Sequence, residues 1–389
     1  MHPRRKRVAL LIETSTTWGR GLIRGIARYA HERANWALSV EPRGTHERQI
    51  LPYNWQGDGV IGRLTSHEIV ESIKKEHIPA VNVSQISIPD TPFPKVTTDE
   101  SRVGQLAAKH LLQRNFSSLG YYGPPHRPHY TDHIFEAFQE QAKRCEVKLS
   151  VFHPDRYFAT AQSSHDDLMR LEHWLMPIEK PVGILAWNAT GAFKVISACE
   201  VFDLRVPDQV GVLAGENDEL LESISGVSMT AIDHHPSEVG WHAAARLDRL
   251  LQGTAMERTT ELIEPRGIRL GDSTTRSNSN DVLVEETLES IRRDPSHTVS
   301  IAEIAEKAGL SRRALEVRFN KAIGQSPAAE IRTIRLEHAC RLLASTSCSI
   351  GSIAAASGFQ SIDSFSRAFA NKYGMPPRDY RKQASKTVP

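Results

Sequence analysis

The apolar positions change their period once along this chain. Up to about residue 270, short β-branched or apolar runs alternate with stretches whose apolar residues recur every three or four positions. Val8 to Ile12, Gly59 to Ile61, Ala80 to Val83, Leu119 to Tyr122, Gly183 to Trp187 and Val210 to Ala214 predict strands; Gly21 to Glu32, Ser101 to Arg114 and His133 to Cys145 predict amphipathic helices. Such alternation predicts an α/β architecture, a parallel sheet covered by helices on both faces. Residues 1–270 exceed what one such sheet needs, so two lobes are expected. The stretch 271–281, GDSTTRSNSND, has no apolar periodicity to bury and reads as a linker. Beyond it the strand signal ends, and helical spacing runs from Val282 to Tyr380, predicting an all-α domain over 282–389.

That second part repeats itself. Ser300 to Phe319, SIAEIAEKAGLSRRALEVRF, has the layout of a helix-turn-helix: Ile301, Ile304 and Ala305 face inward on the first helix, Gly309 takes the left-handed turn position, and Leu315 and Phe319 anchor the second helix. Forty-nine residues later Ile350, Ile353, Ala354 and Gly358 occupy the matching places. After one inserted residue, Phe365, Phe369, Gly374 and Pro377 match Leu315, Phe319, Gly324 and Pro327 at an offset of fifty. The two units thus span 300–319 and 349–369, and Ile331 to Leu343 reads as one helix joining them. A single amphipathic helix pair with a glycine turn is common; two copies in register are not.

Charge sharpens the division. The whole chain is nearly balanced at +2, but from Ser296 to Lys386 fourteen Lys and Arg face seven Asp and Glu. A basic helical segment attached to a slightly acidic remainder suits nucleic-acid binding. The four cysteines, Cys145, Cys199, Cys340 and Cys348, lack CxxC spacing, which argues against a zinc site and for a reducing compartment. His126, His129 and His133 are irregularly spaced, without a Cys or Asp ligand set, so they are expected to line or flank a cleft rather than hold a metal. No cofactor motif is found. GxSxG, GxxxxGK and a strand-borne GxGxxG are all missing, which disfavours the common enzyme classes. With no signal peptide and no apolar run of membrane-spanning length, a cytoplasmic location without membrane association is expected.

Val282 to Arg381 resembles the AraC/XylS family of transcription regulators; its C-terminal signature is met by Arg335-Leu336, Ala339, Leu343, Ile350, Ile353-Ala354, Gly358-Phe359, Phe365, Phe369, Gly374 and Pro376-Pro377. The resemblance implies a double-stranded DNA operator contacted by two recognition helices in successive major grooves. The outward residues of those helices, Arg312, Arg313 and Glu316 in one and Asp363, Ser366 and Arg367 in the other, are the candidate DNA contacts. Arg can bind guanine bidentately, and a carboxylate can accept from cytosine.

Val96 to Gly123, Val206 to Asp218 and His234 to Gly253 resemble the periplasmic-binding-protein-like effector domain of the Lac repressor family. That resemblance implies a two-lobed domain whose closure on a small carbohydrate, of the pentose or D-xylose kind, is the allosteric event. It also implies a homodimer, and RNA polymerase as a partner if the regulator is an activator. The polar positions depart from that family's pattern. Its Asn-Asp pair is Asn188 followed by Ala189, its later Asp is Glu216 with Asn217 beside it, and its arginine is Ile134. Trp18 and Trp187 offer flat faces for a sugar ring, and Arg20 a donor for its hydroxyls. The expected function is a DNA-binding regulator, not an enzyme, with an activator of sugar-utilisation genes favoured over a repressor and over a solute-binding protein.

Overall fold

The computed structural model describes residues 4–44, 47, 49–154, 161–253, 255, 257–275, 282–296, 301–346 and 348–387. The chain forms two compact units, Met1–Arg276 and Ser277–Pro389.

The first unit opens with β1 (Arg7–Leu11), α1 (Thr17–Tyr29), β2 (Ala37–Val40), β3 (Gly59–Gly62), α2 (His67–Lys75), β4 (Ala80–Asn82) and β5 (Lys95–Thr98). It continues with α3 (Glu100–Leu112), β6 (Ser118–Tyr122), α4 (His133–Arg144), β7 (Leu149–Phe152), α5 (Ala161–Leu175), β8 (Val182–Ala186), α6 (Ala189–Val201), β9 (Val210–Ala214), α7 (Glu219–Ile224) and β10 (Thr230–Asp233). It closes with α8 (Pro236–Leu251), β11 (Thr260–Ile263) and β12 (Gly267–Arg269). The strands form two six-stranded sheets, ordered β11-β5-β4-β3-β1-β2 and β12-β10-β9-β8-β6-β7. Pairing is parallel throughout, except between β12 and β10. The two sheets repeat one winding, so each is a lobe with its own switch point, between β1 and β3 in the first lobe and between β6 and β8 in the second.

Central strands such as Val182–Ala186 and Val210–Ala214 are buried along their whole length. Helices cover both faces of each parallel sheet, so a continuous apolar run, rather than alternation, is the stable pattern there. Each sheet accordingly has two cores. In the first lobe Val8, Leu10, Leu22, Ile26 and Leu247 lie on one side and Ala9, Leu11, Ile69 and Ile73 on the other. The chain passes between lobes three times: from β5 to α3, from β10 to α8, and from β11 to β12.

The polar stretch after residue 270 differs from a free linker in its first half. Asp272–Thr274 is a 3-10 turn, and Ser273 and Thr274 are fully buried. Their hydroxyls explain how Ser and Thr come to lie there. Ser273 Oγ donates to Val212 O (2.5 Å) and accepts from Thr230 N (2.8 Å), while Thr274 Oγ1 lies 2.8 Å from Thr230 Oγ1 and 2.9 Å from His110 Nε2. Burial pushes the His110 imidazole down to about 3, so it sits there neutral. Residues 276–281 of that stretch lie outside the described residues, as does Ser300 at the start of the first repeat.

The second unit is helical: α9 (Val282–Arg293), α10 (Ile301–Lys307), α11 (Arg312–Ile323), α12 (Pro327–Ser345), α13 (Ile350–Ala356), α14 (Ile362–Tyr373) and α15 (Pro377–Thr387). The repeat is physical. Ile304, Ala305, Leu315 and Phe319 are buried in one core; Ile353, Ala354, Phe365 and Phe369 are buried in the other. The joining helix α12 serves both, giving Ile331 and Ile334 to the first and Leu336, Ala339 and Leu343 to the second. Gly309 and Gly358 hold the turns at φ of 65° and 73°, a region open to glycine at little cost.

The two turns differ in their surroundings. A Cβ on Gly309 would meet nothing within 4 Å, whereas one on Gly358 would lie 2.3 Å from Pro295 O and 2.7 Å from Arg335 Nε, which themselves are hydrogen-bonded at 3.1 Å. Gly309→Ala is therefore expected to cost only the left-handed strain, roughly 1–2 kcal/mol. Gly358→Ala adds an overpacking term of about 1–3 kcal/mol. Thermal or urea unfolding should rank Gly358→Ala as the more destabilising; equal losses would contradict the difference.

Candidate functional site

In doubly wound sheets, ligand sites form beyond the carboxyl ends of the strands. The first unit has a cavity of about 220 Å³ there, lined by both lobes. The first lobe contributes Glu13 after β1, Trp18 at the start of α1, Arg63 after β3, and Ser84 and Gln85 after β4. From the second come Arg127, Tyr130 and Ile134, then Trp187 and Asn188 after β8, and Glu216 after β9. Thr98, Glu100 and His234 come from two of the crossings between lobes.

The wall is a set of connected polar groups interleaved with aromatic faces. Glu13 forms an ion pair with Arg63, whose guanidinium also lies 5.5 Å over the Trp18 ring. Trp187 Nε1 donates to the Tyr130 hydroxyl (2.9 Å), which lies 3.4 Å from both carboxyl oxygens of Glu100. Asn188 caps α6 by accepting from Gly191 N (2.8 Å), so its amide N–H groups are what it can offer a ligand. Asp218 caps α7 through Leu220 N and Leu221 N, and its other oxygen accepts from Thr17 Oγ1 (3.2 Å) across the cleft.

Among the described residues, two buried polar atoms at this cavity have no partner: Arg63 Nε, a donor, and His234 Nε2. Burial pushes the His234 ring down to about 4, despite a hydrogen bond to the Gly215 backbone, so it is neutral near pH 7. Leaving such groups unpaired is costly, and a hydroxyl, which both donates and accepts, can satisfy either. Burial raises Glu100 to about 8 and Glu216 to about 7, so near neutral pH the carboxylates of Glu13 and Asp218 are set against the guanidinium groups of Arg63 and Arg127, with no net positive charge to hold an anion. That balance disfavours an anionic ligand.

Of the residues singled out in the sequence, Trp18, Trp187, Asn188 and Glu216 are on the wall; Arg20 and Asn217 are not. Arg20 curls back to Thr14 O (3.1 Å), Ser15 O (3.0 Å) and Thr17 Oγ1 (3.1 Å), bracing the loop that reaches Asp218. Asn217 Oδ1 accepts from Arg269 (2.5 Å). The His-rich stretch contributes Arg127 and Tyr130 rather than its histidines: His133 bonds Glu136 (2.8 Å) and the His129 ring meets His67. Ile134 does line the cavity, where its apolar side chain leaves the guanidinium role to Arg63 and Arg127. Sequence reasoning missed Glu13, Arg63, Gln85, Glu100 and His234, although all five lie within three residues of the carboxyl end of a strand.

The second unit presents the second helix of each repeat outward. Ser311 and Ser361 cap α11 and α14, accepting from Ala314 N (3.2 Å) and Ser364 N (3.1 Å). Leu315 and Phe319, or Phe365 and Phe369, pin one face of each helix to its core. Arg312, Arg313, Asp363 and Arg367 are exposed, and Glu316 and Ser366 half-exposed, on these helices. Arg312 pairs with Glu316 one turn on (3.2 Å). Among the described residues no His, Cys, Asp and Glu cluster could hold a metal ion, and no helix is long and apolar enough to cross a membrane.

Comparison with known proteins agrees with both units. Residues 304–383 match the helix-turn-helix domain family, 108–274 the periplasmic binding protein-like domain and 7–100 the XylR N-terminal domain. The chain is thus a DNA-binding transcription regulator of the AraC/XylS type, carrying a periplasmic-binding-protein-like effector domain. It is homologous to the xylose operon regulatory protein of Escherichia coli (strain K12), 25% identical over 395 residues that span 100% of both chains. Its last part is 37% identical over 102 residues to an AraC-like transcription regulator of Streptomyces lividans, covering 26% of this chain and 34% of that one. The same overall fold occurs in a xylose-binding transcription activator, with a TM-score of 0.76 at 24% identity over 98% of this chain and 99% of the other.

The cavity's carboxyl groups make stability pH-dependent. Burial pushes Glu100 up to about 8, helped by Asp132 and opposed by Tyr130, Lys95 and Arg63; burial likewise holds Glu216 at about 7, opposed by Arg63. Both lie above the ordinary 4.5, so between these values the folded chain keeps protons that the unfolded chain has released. Their contribution is full below about 4.5 and is lost as pH rises through about 8. The melting temperature of the first transition should fall between roughly pH 6 and pH 8.5, and less steeply in Glu100→Gln. Parallel pH profiles for the two proteins would refute this assignment.

Proposed function

We propose that the chain is a sugar-responsive transcription activator. A neutral monosaccharide, a pentose of the D-xylose type, binds in the cavity between the lobes and controls contact with a double-stranded operator. The observation that carries the sugar reading is the cavity wall itself. Tryptophan and tyrosine faces stand beside carboxyl, amide and guanidinium groups, and the unpartnered Arg63 Nε and His234 Nε2 ask for a ligand that both donates and accepts. A cavity of about 220 Å³ suits one sugar ring. Support for the pentose comes from the relatives, one named for the xylose operon and one for binding xylose.

In this mechanism the ligand touches Glu13, Trp18 and Arg63 from one lobe and Trp187, Asn188 and Glu216 from the other. Only a ligand that contacts both lobes favours the closed form over the open one. The Thr17–Asp218 bond then adds to closure. The protein acts as a homodimer in the cytoplasm and, as an activator, meets RNA polymerase at the promoter. Arg312, Arg313, Glu316, Asp363, Ser366 and Arg367 read or position the operator.

Two measurements test this. In a thermal-shift or calorimetric screen, neutral pentoses should bind at millimolar concentration or below while sugar acids fail. Trp187→Ala should weaken the pentose roughly tenfold, through lost stacking. Absence of binding by any neutral monosaccharide would remove the sugar reading. In a gel-shift titration at fixed salt, Arg367→Ala should cost about 1–3 kcal/mol of operator affinity, and unchanged binding would take Arg367 off the interface.

A further inference from the structure

The outward faces of α11 and α14 carry more than charge. Among the described residues of the second unit, the large aliphatic side chains that stand clearly in solvent are Val317, 61% exposed, and Ile362, 52% exposed. One lies on each recognition helix. A lone exposed aliphatic residue is ordinary on a protein surface. The register of the repeat makes this pair informative.

At the offset of fifty, Arg312 corresponds to Ile362 and Val317 to Arg367. At 100° per residue, positions 312, 316, 313 and 317 follow one another around the helix over an arc of about 140°, with Arg312 and Val317 at its edges. The same arc on α14 has Ile362 and Arg367 at its edges. Each helix therefore offers one arginine and one aliphatic side chain at opposite edges of the same reading face, in swapped order. The cores behind both faces are equivalent, Leu315 with Phe319 and Phe365 with Phe369, and Ile362, though half exposed, also lies beside Gly351 of α13.

In the major groove the apolar feature that distinguishes bases is the 5-methyl group of thymine. We propose that Val317 and Ile362 are specificity-determining residues that read thymine methyl groups, one in each of the two major-groove segments. Arginine reads the opposite edge of each segment. The inference rests on the proposed operator contact of α11 and α14, and adds base identities to it.

The test uses the full chain and a duplex that the chain itself selects from a random-sequence library. Each thymine of the selected duplex is replaced singly by deoxyuridine, which removes only the methyl group. For the wild-type protein, one position in each of the two major-groove segments read by a chain should weaken binding about fourfold, the worth of one methyl taken from water. Val317→Ala should abolish the sensitivity at the first of these positions alone, and Ile362→Ala at the second alone. Unchanged melting temperatures confirm that both exposed variants fold. If either variant keeps the wild-type deoxyuridine profile, or if no thymine methyl matters, the proposal is overturned. Failure to select any sequence would instead overturn the operator reading beneath it.

Discussion

Three backbone crossings govern the first unit. Because β5, β10 and β11 each hand the chain to the other lobe at their carboxyl ends, the two sheets must turn those ends toward one another. A parallel sheet gathers its loop side chains at that end. The cavity and its lining follow from this constraint. Thr98 and Glu100 at one crossing and His234 at another line the cavity, so the hinge and the binding wall are partly the same residues. Thr98 Oγ1 donates to His234 O (3.1 Å), tying those two crossings together. In the proposed function a ligand on this wall contacts the crossings themselves.

The strand β10 gives this arrangement a route outward. Its carboxyl end leads into His234 at the cavity, while Thr230 at its other end holds Gly271, Ser273 and Thr274. His110 completes that buried cluster as a neutral partner. A segment expected to be free is anchored by hydroxyl groups at one end of the strand whose other end meets the cavity. Buried polar groups of this kind are stable only when fully paired, which makes the anchor specific in geometry.

What could be read in the sequence follows the same physics. Val182–Ala186 and Val210–Ala214 were legible because strands buried on both faces are continuously apolar. Lys95–Thr98 and Thr230–Asp233 were not, because their threonines satisfy hydroxyls through Thr98 to His234 O and Thr230 to Gly271 O, bonds no pattern displays. Ser273 and Thr274 read as linker for the same reason. In the second unit Gly309 and Gly358 marked the turns correctly, since a left-handed residue between two amphipathic helices leaves a local sign. Asn188 and Glu216, which line the cavity, were singled out through family resemblance, and Trp18 and Trp187 through the flat faces they offer a sugar ring. Glu13, Arg63 and His234 were not, because a charged residue after a strand looks alike whether it faces water or a second lobe.

The central claim is that a sugar between the lobes and DNA on the helix-turn-helix units are thermodynamically coupled. Coupling is reciprocal, so it can be measured from the cavity side. Calorimetric titration of the pentose into the protein, alone and saturated with its selected duplex, tests it most directly. Sugar affinity should change at least about fivefold, matched by the change that the sugar makes in duplex affinity. Identical sugar affinity with and without the duplex would contradict it.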